Sequence, residues 1–118
     1  YLYLVRIVEN PGIIQEELSD LLKVDRSTVA RSVKKLESKG LIERRSAAGN
    51  LKNKELFATD TGKKLYPFIL AEHTYSEQQA LTGFSKEDAQ LLEDMLAKVR
   101  QNITDDWELV KKGQKRNY

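Results

Sequence analysis

The sequence predicts a mainly α chain with a small β-hairpin wing (α+β): a winged helix-turn-helix lobe followed by long helices. Three observations carry that prediction. Residues 23–54 hold ten Lys or Arg against three acids, net +7, within 118 residues whose formal charge is only +2. Around that block, one amphipathic helical segment at 15–23 leads through a short turn into another at 26–39, and two strand-like runs around a glycine follow. Beyond it, apolar residues recur at helical spacing from Leu92 to Val110, farther than a small lobe can cover.

The totals bound the rest. A chain of this length is one domain, or a small domain with an extension. Hydrophobic content of 40% with 32% charged residues suits a soluble α-rich protein. No apolar run approaches membrane-spanning length, so no membrane partner is expected. The absence of cysteine excludes disulfides and thiolate chemistry and fits a cytoplasmic setting. Tyr1 opens the chain inside an apolar helical pattern, so the first helix is expected to continue upstream.

Leu2, Val5 and Val8, widened by Leu4 and Ile7, read as a buried helix that Asn10-Pro11-Gly12 stops. Gln15 to Lys23 reads as a second helix with Leu18, Leu21 and Leu22 inward and acids in its first turn. Ile13 and Ile14 stand where a Ser or Thr cap would serve better. Asp25 then caps a third helix, 26–39, with Val29, Val33 and Leu36 as its inner stripe. Gly40 ends it. Leu41 to Arg45 and Lys54 to Ala58 are strand candidates, and the turn-like 46–50 between them opens a basic wing at 46–54. Thr59 caps a helix running to about Leu81, Gly83 breaks it, and Ser85 caps the last one. The expected division is a winged lobe at 1–60 and C-terminal helices at 61–118.

The outer face of helix 26–39 carries Arg26, Ser27, Thr28, Arg31, Lys34 and Lys35. These are hydrogen-bonding and cationic groups suited to base edges and phosphates. On the wing, Asn50, Lys52 and Lys54 are the candidate contacts. In the last helix Leu92, Leu96, Val99, Ile103, Trp107 and Val110 form one stripe, and a long unburied stripe points to dimerisation.

Asn10 to Leu18, Val24 to Arg31, Lys35 to Arg45 and the wing exit Ala58-Thr59-Asp60-Thr61-Gly62 together resemble the MarR regulators, and within them the SlyA-like branch. That resemblance implies a homodimer binding double-stranded DNA at a pseudo-palindromic operator, usually as a repressor of transcription. It implies release by a small, often aromatic, anion. It sets Ser27, Thr28 and Arg31 at the major groove and Lys34 at a phosphate. The wing departs from the family's Asp-x-Arg pattern, with Asn50 and Lys52 at the matching positions. Lysine lacks the guanidinium fork, so minor-groove reading there is expected to be looser.

An alternative keeps the fold and drops sequence-specific DNA binding, leaving a protein-interaction module. Enzymatic chemistry is not expected. One histidine, His73, no cysteine and no glycine-rich phosphate loop supply no catalytic set, no metal site and no cofactor site. Tyr1, Tyr3, Tyr66, Phe68 and Tyr75 are candidate walls for an effector crevice, with Arg6 as a cation toward a carboxylate.

Overall fold

A computed structural model describes the backbone of residues 1–47 and 50–116, with side chains throughout except at 47 and 50–53. The order is α1 (Leu2–Glu9), α2 (Gln15–Leu22), α3 (Arg26–Ser38), β1 (Ile42–Ala47), β2 (Asn50–Ala58), α4 (Asp60–Ala80) and α5 (Lys86–Lys111). The chain divides into compact units at Tyr1–Tyr75 and Ser76–Tyr118.

In the first unit the core is one cluster built from every element up to β2. Leu4, Ile7, Leu18, Val29, Val33 and Leu56 are completely or almost completely buried, joined by Leu36, Leu41 and Ile42. α1 turns Leu4, Val5 and Ile7 inward, while Leu2 is exposed and Val8 only half-buried. The expected Leu2–Val5–Val8 stripe is therefore displaced by one position. An eight-residue segment apolar on nearly every side does not select a face by period alone. Asn10 closes the helix by donating its side-chain amide to the Arg6 carbonyl at 2.8 Å.

The connection to α2 is more ordered than its sequence suggests. Gly12, at φ +86°, donates its N–H to the Leu56 carbonyl, and Leu56 donates back to the Ile13 carbonyl, each at 2.9 Å. Ile13 thus forms a single bridge onto the wing. Ile14 has no side-chain oxygen for a cap, yet Glu17 accepts its backbone N–H at 3.1 Å, the half of a capping box that a glutamate supplies. In α2, Leu18 is buried and Leu21 is exposed, against expectation. Ser19 takes the inward place instead. Its hydroxyl donates to the Val24 carbonyl and its carbonyl accepts the Val24 N–H, so the tight turn rotates the helix.

The hairpin is longer than predicted. β1 and β2 pair antiparallel from Ile42↔Ala58 to Ser46↔Lys54, with an irregularity before Ala47↔Asn50. Residues 46, 47 and 50 belong to strands rather than to the turn, and the ladder supplies partners for backbone groups that a loop would leave to water. At the wing exit the Thr59 hydroxyl donates to the Gly40 carbonyl at 2.6 Å and accepts the Gly62 N–H at 3.1 Å. One side chain therefore caps α4 and ties it to the end of α3.

In the second unit, Gly83 at φ +86° precedes Phe84, and the Ser85 hydroxyl accepts the Asp88 N–H at 3.0 Å to start α5. Gly113 turns the chain, and the Arg116 guanidinium pairs with Asp106 at 2.8 Å.

Candidate nucleic-acid interface

The cationic helix α3 is presented as its pattern demands. The Asp25 carboxylate accepts the Thr28 N–H at 3.0 Å, fixing the helix start, and Val29, Val33 and Leu36 anchor the inner face. Opposite them Ser27, Arg31, Lys34 and Lys35 are exposed, and Thr28 is half-buried. The outer face thus stands clear of the core on a rigid element, the arrangement a groove-reading helix needs.

Ion pairs redistribute the basic block. Arg26 donates to Glu16 of α2 at 3.0 Å, so this candidate contact already has a carboxylate partner. Arg44 donates to Glu37 at 3.1 Å, bracing the wing base against α3, and Arg45 pairs with Glu43 while lying 4.4 Å from the Phe57 ring centre. Ser38 is also committed, donating to the Lys35 carbonyl at 2.8 Å. Among the described residues, Lys34, Lys35 and Lys54 form no ion pair, and all three are exposed. The Asn50 and Lys52 side chains lie outside the described residues.

The acids that neutralise Arg26 and Arg44 were missed because their partners are ten and seven residues away. No helical spacing links such pairs; only the turn between α2 and α3, and the strand leaving Gly40, bring them together. Thr28 carries a second feature that residue type alone does not reveal. Its hydroxyl donates to Asp25 at 2.5 Å and lies 3.5 Å from Arg31 Nη2.

A cleft of about 360 Å³ is lined by Tyr1, Leu65, Phe68, Ile69, Glu72 and His73. Tyr1 and Phe68 match the expected walls, whereas Tyr3, Tyr66 and Tyr75 are not among them. Arg6 is not in the lining either and pairs with Glu9 at 2.8 Å. Arg6, the cation expected there, is thus absent from this lining, whose acidic and basic side chains are Glu72 and His73. Among the described residues no three His, Cys, Asp or Glu side chains gather as a metal would require.

Along α5 no residue is buried. Leu96, Val99, Ile103 and Val110 are exposed by 42–56%, and Leu91 and Met95 stand exposed beside them. Leu92 and Trp107 are half-buried, the indole N–H of Trp107 having no hydrogen-bond partner among the described residues.

Comparison with known proteins agrees with this geometry. A model of the MarR family matches residues 1–54. The HTH-type transcriptional regulator YybA of Bacillus subtilis (strain 168) is 52% identical over 118 residues, covering 100% of this chain and 79% of that protein. A SlyA-like transcription regulator from Listeria monocytogenes superposes with a TM-score of 0.96 at 53% identity, covering 99% of this chain and 78% of the other. A MarR family regulator from the same organism, solved with a 26-mer DNA, gives 0.91 at 52% identity, covering 100% and 79%.

Proposed function

This chain belongs to the MarR family, among its SlyA-like members, and from that premise we propose that it represses transcription as a homodimer on a pseudo-palindromic operator. It is a DNA-binding transcriptional regulator. The observation that carries the finer reading is the outer face of α3, where exposed Arg31, Lys34 and Lys35 surround Ser27 and Thr28 on a helix anchored from behind. Ser27, Thr28 and Arg31 address base edges. Lys34, Lys35 and Lys54 address phosphates, with Arg26 as a weaker contact because Glu16 holds it. Asn50 and Lys52 complete the wing contact at the minor groove.

The winged lobe, 1–60, delivers these residues, and the helices of 61–118 hold two copies together through Leu92, Leu96, Val99, Ile103, Trp107 and Val110. The unburied stripe of α5 supports this assignment, since an apolar face of that length is stable in water when a second copy covers it. The two recognition helices then address half-sites about 34–36 Å apart, one turn of duplex. The relative solved with a 26-mer DNA, half identical to this chain throughout, weighs against an interaction module that has lost DNA.

Regulation by a small molecule belongs to the same reading. The cleft sets the Phe68 ring beside one acidic and one basic side chain, Glu72 and His73, a lining that suits a small aromatic effector. No step of the mechanism is catalytic. No helix among the described residues is long and apolar enough to cross a membrane.

Selection of bound duplexes from a random library, followed by sequencing, tests the proposal. A palindrome with half-sites one turn apart is the expected result. Recovery of duplexes with no common sequence would overturn it.

A further inference from the structure

Asp25, Thr28 and Arg31 form a directed chain along the first turn of α3. The Thr28 backbone N–H donates to one Asp25 carboxylate oxygen at 3.0 Å, the ordinary capping bond, while the Thr28 hydroxyl donates to the other at 2.5 Å. A carboxylate offers no proton in return, so the hydroxyl hydrogen has one destination. Thr28 Oγ1 is left with lone pairs only, and Arg31 Nη2 lies 3.5 Å from it. The guanidinium is thereby drawn toward the N-terminal turn of α3, the end that meets base edges in helix-turn-helix complexes.

The identity of the capping residue asks for an explanation. Asn or Ser would cap the helix about as well, and neither would set a negative charge among groups that face phosphates. What aspartate adds is a second acceptor oxygen, and the structure uses it for the Thr28 hydroxyl. The Arg31 charge, for its part, helps keep Asp25 ionised.

Resting on the major-groove reading above, we propose that Asp25 is a positioning residue that sets base specificity. Through the Thr28 hydroxyl it aims the Arg31 fork, and it leaves Thr28 able only to accept. An Arg fork matches guanine O6 and N7, and an acceptor-only hydroxyl matches the exocyclic amine of adenine or cytosine. Asp25 therefore shapes which base pairs are read without being the group that reads them.

Asp25→Asn separates this role from capping. The amide keeps an oxygen for the Thr28 N–H but turns an N–H₂ donor on the Thr28 hydroxyl, whose hydrogen must then turn toward Arg31 or toward the groove, so that Thr28 no longer offers acceptors alone. The test titrates the full chain, Asp25→Asn, Arg31→Ala and the double variant against two duplexes. One is the library-selected consensus, and in the other the base pair that depends on Arg31 is replaced. Asp25→Asn is expected to lower the discrimination ratio by about tenfold, within the range one bidentate pair supplies. Affinity for random duplex is expected to rise, because an anion has gone, and the double variant should discriminate no worse than Arg31→Ala alone. Thr28→Val, which removes the hydroxyl and keeps the shape, should reproduce the loss and decides the matter should Asp25→Asn unfold. Wild-type discrimination in Asp25→Asn and Thr28→Val, alongside its loss in Arg31→Ala, would overturn the positioning role alone. Unchanged base preference in Arg31→Ala would instead overturn the major-groove reading beneath it.

Discussion

Gly62 lies directly against the backbone of Leu41: a Cβ at Gly62 would stand 2.2 Å from the Leu41 carbonyl oxygen and 3.3 Å from Leu4 Cδ1. The same carbonyl accepts the Thr59 N–H at 3.0 Å. Where α4 begins, its backbone is thus seated on the residue that leaves α3, and the wing is clamped at its base between them. Glycine here answers a need for space within a helix.

Gly62→Ala is expected to destabilise the protein by about 3 kcal/mol, the upper end of overpacking costs, since a backbone oxygen cannot swing aside as a side chain can. Gly40 offers the contrast. Nothing lies within 4 Å of a Cβ there, but φ is +73°, so Gly40→Ala should cost only about 1–2 kcal/mol for a left-handed residue. Urea unfolding of both variants checks the order, and equal losses would show that crowding at Gly62 is relieved by movement of Leu41.

The cations of α3 differ in how much of their charge DNA can use. Lys34→Ala should weaken binding to every duplex and flatten the dependence of log affinity on log salt by about 0.9, one phosphate's worth of released counterions. Arg26→Ala should change the slope by clearly less, because Glu16 sits 3.0 Å from its guanidinium before any DNA arrives. Titrations by fluorescence anisotropy over a range of salt would separate them. Equal slopes for both variants would mean that the Arg26–Glu16 pair opens on binding.

The apolar stripe of α5 carries the dimer assignment. Val99→Glu and Ile103→Glu each place a charge where the proposed partner helix must pack, at positions 51% and 54% exposed in the single chain. In a monomer both changes would be nearly neutral, as exposed substitutions generally are, within about 0.5 kcal/mol. In a dimer they should shift sedimentation toward the single-chain mass and lower operator affinity by far more than random-duplex affinity, because two half-sites no longer bind together.

Much of this molecule could be read from its sequence where a local rule decides the outcome. Asp25, Thr59 and Ser85 each cap the helix expected, and Val29, Val33 and Leu36 form the stripe expected, because capping and amphipathic spacing act within a few residues. What escaped depends on elements that meet only in space. Ile13 bridges to Leu56, Ser19 replaces Leu21 on the inner face, and Glu16 and Glu37 take Arg26 and Arg44 out of the free cationic surface. The charge block was legible as a count. Its partition into paired and unpaired cations was not, since that is settled by the turn after α2 and by the path of β1.

Acid should loosen the start of α3 through Asp25. Its carboxyl is held below the usual 3.8, first by the Thr28 hydroxyl, then by the Thr28 backbone N–H, with Arg31 adding a smaller pull. A depressed folded-state value means that the protonated form is disfavoured in the native protein. The associated stability is then fully present above the unfolded-state value, and it is lost as pH falls through the lower, folded one. The wild-type curve sums over every acid in the chain, so a matched variant isolates the effect. Asp25→Asn is that variant, because both proteins carry every other acid and Asn does not titrate. The stability difference between them should stay constant from neutral pH down to about 5, roughly a unit above the usual value, and shrink steadily below 3.8. Urea midpoints measured at a series of pH values supply the curve. A difference that persists unchanged well below 3.8 would mean that Asp25 gains nothing from its charge, and that the bonds to Thr28 hold as well with a proton on the carboxyl.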